Sequence, residues 1–424
     1  MLHLFLACTE PSSHTGQPKD AAAVSPTAED SAAEDSAAED SAAEDSAAAP
    51  DESVEVIVGK GEPVIFDPAT VHHLTLTLTE AAVDALRSSP TAWVSADLTF
   101  QGETWSQVAV RVKGSSSFQD IDHKPALKIK FHEYLPSQRF HGLERLTLNN
   151  EVWDPTMMAE NLSYEAWREN GSPAPRTGYA VVTLNDRALG LYAIIESMDD
   201  DYIDHQWPDS DGGLWEMTRN CDFDGDCTCF SLQETGSAYV ADAITMGCEA
   251  VEAGTTESLK AAFDWEALIA FLAVELSLNH PDSYSFNLNN FFVYHEPVTD
   301  RLSLSPWGAD STFIYAYPPS SPNPNCEPLY NDVLTDTTPS GWLMDFCLDD
   351  PSCSADLRAK VLTVADWMES SDLTGRMEAA AAMLEPYAAL ETEVNWTMAD
   401  RTQRVECFLT WTAQRPAELR AWTP

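Results

Sequence analysis

The chain has 424 residues, 44% apolar and 10% aromatic, which is enough to build a packed core, and its 69 Asp and Glu against 23 Lys and Arg give a formal net charge of −46. A surface this negative repels nucleic-acid phosphates and anionic lipid headgroups, so no nucleic-acid partner is expected. Residues 1–52 hold 12 of the acids and one of the bases, which leaves 57 acids and 22 bases for the rest, so the folded part is acidic on its own account.

Residues 1–8, Met1-Leu-His-Leu-Phe-Leu-Ala-Cys8, form an apolar stub that ends in a small residue and a cysteine. It reads as the remnant of a lipoprotein-type export signal, with Cys8 as the lipid-anchor site. No later apolar run is long enough for a spanning helix. Residues 9–52 form an acidic linker in which Ser-Ala-Ala-Glu-Asp repeats from Ser31, Ser36 and Ser41, with a truncated copy at Ser46. A period of five matches neither helix nor strand, and the acids repel one another, so disorder is predicted. The acid-flanked serines are also candidate phosphate acceptors. Residues 53–424 make up the folded domain.

Short β-branched or alternating runs predict strands at Val54–Val58, His72–Thr79, Trp93–Phe100, Val108–Lys113, Lys124–Phe131, Glu144–Leu148, Tyr179–Leu184 and Gly190–Glu196. Helices are predicted at Glu80–Ser88 and Pro155–Asn170, the second capped by Asp154 and stopped at Gly171, and the run Asp199–Asp201 caps another near Tyr202. Residues 209–248, rich in Cys, Asp and Gly, read as irregular. Helices follow at Ser258–Leu278, Asp356–Glu369, Leu373–Leu384 and Met398–Leu419. A β-rich first part and a mostly helical second part predict an α+β fold. Besides Cys8 there are eight cysteines, Cys221, Cys227, Cys229, Cys248, Cys326, Cys347, Cys353 and Cys407. An even set fits an oxidising compartment and up to four disulfides, hence an exported protein at the cell envelope or outside it.

Three stretches carry chemistry. In Arg111–Phe131 a Gly-Ser turn (Gly114, Ser115, Ser116) offers backbone N–H groups to an anion, and period two puts Lys128 and Lys130 on one strand face. A polyphosphate site and an ordinary hairpin connector both fit. In His280–Tyr294, Asp282 and the amides Asn287, Asn289 and Asn290 crowd one loop; Asp accepts a hydroxyl proton and an Asn oxygen suits Mg²⁺. In Ser305–Phe313 a carboxylate, Asp310, follows the next short strand. Loop acid, loop amide and post-strand acid is the layout of a protein-kinase site.

The chain resembles the CotH kinase family of divergent, secreted or surface-attached protein kinases, over roughly residues 70–420. The resemblance rests on five pieces in order: Lys113–Phe131, Leu148-Asn-Asn-Glu-Val-Trp-Asp-Pro155, Leu189-Gly-Leu-Tyr-Ala-Ile-Ile-Glu196, Asp282 with Asn290-Phe-Phe-Val-Tyr294, and Pro306-Trp307 leading to Asp310. It implies a kinase-like fold and transfer of the ATP γ-phosphoryl to Ser or Thr of envelope proteins, with Mg²⁺ or Mn²⁺. It implies Asp282 as the base, Asn290 (with Asn287 as its rival) and Asp310 on the metal, and Lys124, Lys128 or Lys130 with Gly114, Ser115 and Ser116 on the phosphates. Glu196 falls at the nucleotide cleft, like a kinase hinge.

The chain departs from the family at one point. The family reads Pro-Trp-Asp-x-Asp or Pro-Trp-Asp-x-Asn, and here Gly308 stands at the first acid. In a strand, a two-residue shift keeps the face but moves the carboxylate about 6–7 Å. Either the loop re-aims Asp310, or the chain is a catalytically inactive relative that serves as a surface binding or structural module. Asp222-Phe-Asp224-Gly-Asp226 opens like a calcium loop, but its glycine stands at position four and Gln233 replaces the closing Glu. A structural Ca²⁺ site and a disulfide-pinned acidic loop are the two readings of it. Serine-hydrolase and zinc-protease signatures are absent from the sequence.

Overall fold

A computed structural model describes residues 64–225, 227–313, 326, 332–334 and 339–424. The export stub with Cys8, the repeat linker, the strand expected at Val54–Val58 and Asp226 lie outside the described residues. The fold is α+β. Its first part contains β1 (Val71–Leu78), α1 (Glu80–Ser88), β2 (Val94–Phe100), β3 (Glu103–Lys113), β4 (Ala126–Lys130), β5 (Arg145–Asn149), α2 (Ala159–Glu169), β6 (Thr177–Leu184) and β7 (Arg187–Ile195). The seven strands close into a barrel in the order β1-β2-β3-β4-β5-β7-β6, sealed by parallel pairing of β1 with β6.

Period-two alternation fills this barrel with Leu74, Leu76, Leu98, Val110, Val112, Leu127, Ile129, Leu148 and Ile194. The opposite faces of β3, β4 and β5 carry Arg111, Lys113, Lys128, Lys130 and Arg145, with Arg111 opposite Lys128 and Lys130 opposite Arg145. Five of only 23 basic residues therefore share one outer wall.

The second part runs α3 (Asp200–Gln206), β8 (Gly213–Met217), β9 (Phe230–Thr235), α4 (Thr245–Ala253), α5 (Thr256–Ala262), α6 (Trp265–Ser277), α7 (Tyr284–Asn287), β10 (Phe291–Glu296) and β11 (Arg301–Pro306). It ends with α8 (Trp342–Asp349), α9 (Pro351–Ser370), α10 (Leu373–Ala388) and α11 (Met398–Ala421). Strands order as β11-β10-β8-β9. The region expected to be irregular thus holds β8, β9 and the start of α4; β8 is buried on both faces, which erases its alternation. The helix expected over Ser258–Leu278 is two helices, because Asp264 leaves helical geometry and caps α6 by accepting from the Ala267 N–H at 3.2 Å. The cysteines pair as Cys221–Cys229, Cys227–Cys248, Cys326–Cys407 and Cys347–Cys353. No helix of the described residues is long and apolar enough to cross a membrane.

Buried charges tie the two parts together. Lys124, fully buried, pairs with Glu391 of the α10–α11 connection at 2.8 Å, and the other Glu391 oxygen accepts from the Leu191 N–H at 2.7 Å. Arg401 of α11 donates to the Pro155 carbonyl at 2.9 Å ahead of α2, and Arg415 donates to the Ser277 and Leu276 carbonyls at 2.9 and 3.0 Å, satisfying the end of α6. Removing one partner of a buried pair strands the other. Glu391→Ala should therefore cost about 3–5 kcal/mol in urea unfolding, and Lys124→Met combined with Glu391→Leu should cost much less than the sum of the single changes.

Candidate active site

The residues after α6 form a loop around one carboxylate. Asp282 Oδ1 accepts from the side-chain amides of Asn287 (2.5 Å) and Asn289 (3.1 Å), and Oδ2 accepts from that of Asn290 (3.0 Å). Asn290 also donates to the Asp282 carbonyl at 2.8 Å. Closing so tight a circuit puts two non-glycine residues, Leu288 (φ 48°) and Asn290 (φ 58°), in the left-handed region, a strain typical of functional loops. Beneath the loop Glu275 of α6 accepts from the Ser285 N–H at 3.2 Å and from the Ser285 hydroxyl. Burial raises the Asp282 carboxyl, and the three amides and then Arg219 pull it back. Asp282 keeps part of its surface in water.

Gly308 and Asp310 face this loop. The Trp307 N–H donates to the Asn290 carbonyl at 2.9 Å, which carries the β10–β11 pairing one residue past Pro306. Gly308 has φ 53°, and a Cβ at that position would meet Asn290 Oδ1 at 2.7 Å. A larger residue here is strained and has to displace the Asn290 side chain. Ala309–Ser311 form a 3₁₀ turn. The strand-spacing estimate for Asp310 therefore does not apply, because the chain turns back rather than running on. Ser311 Oγ lies 3.2 Å from His280 Nδ1 and fixes the turn to the loop. The Asp310 carboxyl is raised strongly by burial and then by Glu160, Asp282 and Asp154.

The barrel supplies the third side. Lys113, the last residue of β3, donates to Asn149 Oδ1 at 2.8 Å, and the Asn149 amide donates to both Glu160 oxygens at 3.0 and 2.7 Å. The Lys113 ammonium lies 5.5 Å from the Trp307 ring centre, so the barrel end and the turn after β11 meet. The helix expected from Pro155 with Asp154 as its cap starts instead at Ala159 with Met158 at the N-cap position, and Asp154, farther upstream, accepts from the Met158 and Ala159 N–H groups at 3.0 and 2.9 Å. Glu151, buried at φ 55°, has an Oε2 with no hydrogen-bond partner among the described residues. Its carboxyl is pushed well up by burial and then by Glu160, Asp154 and Asp310.

Asp282, Asn287, Asn290 and Asp310 thus belong to one group. Gly114 (φ 108°), Ser115 and Ser116 begin the turn directly after Lys113, and the Asn150 amide holds that turn through the Ser117 carbonyl at 3.0 Å. Lys128 stands on the outer wall, and Lys130 beside it pairs with Glu133 at 2.9 Å. Three expected roles meet competing partners. Lys124 is consumed by Glu391. Glu196 accepts from the Arg176 N–H at 2.9 Å and from its Nε at 3.0 Å, so its carboxylate is occupied. Asp222 accepts from the Tyr284 hydroxyl at 2.8 Å and the Trp342 N–H at 2.7 Å, which docks α8, while Asp224 is exposed. Among the described residues no cluster of three or more His, Cys, Asp or Glu is drawn together tightly enough to hold a metal by itself. Two surface depressions, one lined by Phe118, His123 and Glu393 and the other by Phe223, Glu249 and Trp342, include no residue of this group.

Sequence reasoning missed Lys113, Asn149, Glu160 and Glu151. The available signal for Lys113 was its outward register at the end of a strand, immediately before the Gly-Ser turn.

A profile of the family described as CotH kinase protein matches residues 110–419. The chain belongs to the CotH kinase protein family. Inner spore coat protein H of Bacillus subtilis (strain 168) is 24% identical over 212 residues, which is 45% of this chain and 55% of that protein. The match thus spans little more than half of the relative's length.

Burial pushes Glu275 up to about 8, so the folded state keeps a proton that the unfolded state releases above about 4.5. Stability from this group is present at low pH and is lost as pH rises from about 4.5 through about 8, at about 1.4 kcal/mol per pH unit. Glu275→Gln should flatten the stability–pH curve over that window; an unchanged slope in denaturant titrations at pH 5, 6, 7 and 8 would contradict this.

Proposed function

We propose that the chain is an atypical protein kinase, with a divergent kinase-like arrangement, that transfers the γ-phosphoryl group of ATP to Ser or Thr of a protein at the cell envelope or surface. The observation that carries this reading is the convergence of Asp282, clamped by three amides, with Asp310 and the Lys113–Asn149–Glu160 chain. Such transfer needs alignment and neutralisation of phosphate charge more than covalent help. Asp282 Oδ2 bears one amide against two on Oδ1, so it is the oxygen with room for an acceptor hydroxyl. Lys113, held through Asn149 on Glu160, takes the phosphate role expected of Lys124, beside Gly114, Ser115 and Ser116. Lys128 and Lys130 extend the positive wall.

The donor set suits a divalent cation. Glu151 has a buried oxygen without a partner, Asn290 Oδ1 lies against Gly308, and Asp310 is crowded by other carboxylates. Asp310 and Asn290, with Asn287 and Glu151 nearby, would hold Mg²⁺ or Mn²⁺, which would supply positive charge to the phosphate oxygens. Glu151 then offers the carboxylate that Gly308 cannot. The inactive-relative reading is favoured by Gly308 alone. Four disulfides and the spore-coat relative support a place outside the cytosol, with Cys8 as the anchor.

Incubation with γ-labelled ATP and Mn²⁺ should label protein acceptors, and Asp282→Ala should lower the rate at least a hundredfold. Wild-type protein without transfer or nucleotide binding would leave only the binding module. Mn²⁺ should also raise the melting temperature, and Glu151→Gln should shrink that rise without abolishing folding.

A further inference from the structure

The β8–β9 connection is pinned to itself by Cys221–Cys229 and to α4 by Cys227–Cys248. The Thr218 N–H and hydroxyl both donate to the Cys229 carbonyl, at 3.0 and 2.8 Å. Asn220 (φ 62°) donates its N–H to the Leu288 carbonyl at 3.1 Å, which joins this connection to the loop that carries Asp282. Arg219 stands between those two anchors. It is exposed, and its guanidinium makes no hydrogen bond or ion pair among the described residues. Its charge is nonetheless felt at Asp282. A rigid mount that holds an unengaged cation beside the acceptor-side carboxylate is unexpected in a chain with three acids for every base.

We propose that Arg219 selects the acceptor, favouring a serine followed by acidic residues, and that Ser31, Ser36 and Ser41 of this chain's own repeat are such acceptors. The inference rests on the phosphotransfer reading. Each of these serines has Glu and Asp three and four residues on, whereas Ser46 is followed by Ala-Ala-Ala-Pro and has no acid before Asp51. The 23 residues from Ser41 to Val64 span at most about 80 Å when fully extended. In the step, the serine Oγ bonds to the γ-phosphorus as the bond from that phosphorus to the β–γ bridging oxygen breaks. The nucleoside diphosphate leaves with that electron pair, and the hydroxyl proton passes to Asp282. The chain carries three acids for every base and repels an acidic segment overall, so a cation fixed next to the transfer point, together with the basic barrel wall, favours docking of that segment.

The test uses the full chain with ATP and Mn²⁺, and site mapping by mass spectrometry. Phosphate is expected on Ser31, Ser36 and Ser41 and not on Ser46. A peptide of three Ser-Ala-Ala-Glu-Asp units should exceed one with Lys at the acidic positions about tenfold in kcat/KM, and Arg219→Glu should invert that ratio. Equal rates for the two peptides, an unchanged ratio in Arg219→Glu, or label on Ser46 equal to that on Ser41 would overturn the inference. Label on basic or neutral acceptors but not on the acidic one would sink it while leaving the phosphotransfer reading intact. No label on any acceptor would sink both.

Discussion

Five carboxylates, Glu151, Asp154, Glu160, Asp282 and Asp310, crowd the place where the barrel end meets the helical part, and burial raises four of them. Like charges in a poorly solvated spot are costly unless they are protonated, hydrogen-bonded or matched by cations. The chain uses the last two remedies. Asparagine amides clamp Asp282 and Glu160, Asp154 accepts from the first N–H groups of α2, and Lys113 stands over the group from the barrel wall. Glu151 and Asp310 remain the least compensated, and their unmet demand for positive charge is the basis of the metal-dependent reading.

This group stays assembled because its parts are held from outside. Glu391 reaches from the α10–α11 connection to Lys124 and Leu191 on the barrel, and Arg401 and Arg415 of α11 grip the approaches to α2 and the end of α6. The last helix therefore positions both α2, which carries Glu160, and the loop that carries Asp282. Disulfides perform the corresponding task for the β8–β9 connection, which the Asn220 N–H ties to that loop through the Leu288 carbonyl.

Local signals in the sequence were readable and distant pairings were not. The helix Glu80–Ser88 carries its own cap, and Asp154 announced the approach to α2. The crowding of Asp282 with three asparagines followed from their spacing within one loop. Barrel closure depends on β1 meeting β6 about a hundred residues later, which no period in either strand encodes. Lys124 looked like a phosphate ligand because its partner, Glu391, lies 267 positions away. Strand spacing cannot place Asp310, because a left-handed Gly308 leads into a 3₁₀ turn.

The central claim is that this carboxylate group binds a nucleotide triphosphate only together with a divalent cation. Calorimetric titration of the full chain with a non-hydrolysable ATP analogue, with and without Mn²⁺, tests it directly. The account predicts binding that requires Mn²⁺ and weakens at least tenfold in Asp310→Asn. Binding of equal strength without metal, or none in either condition, would contradict it.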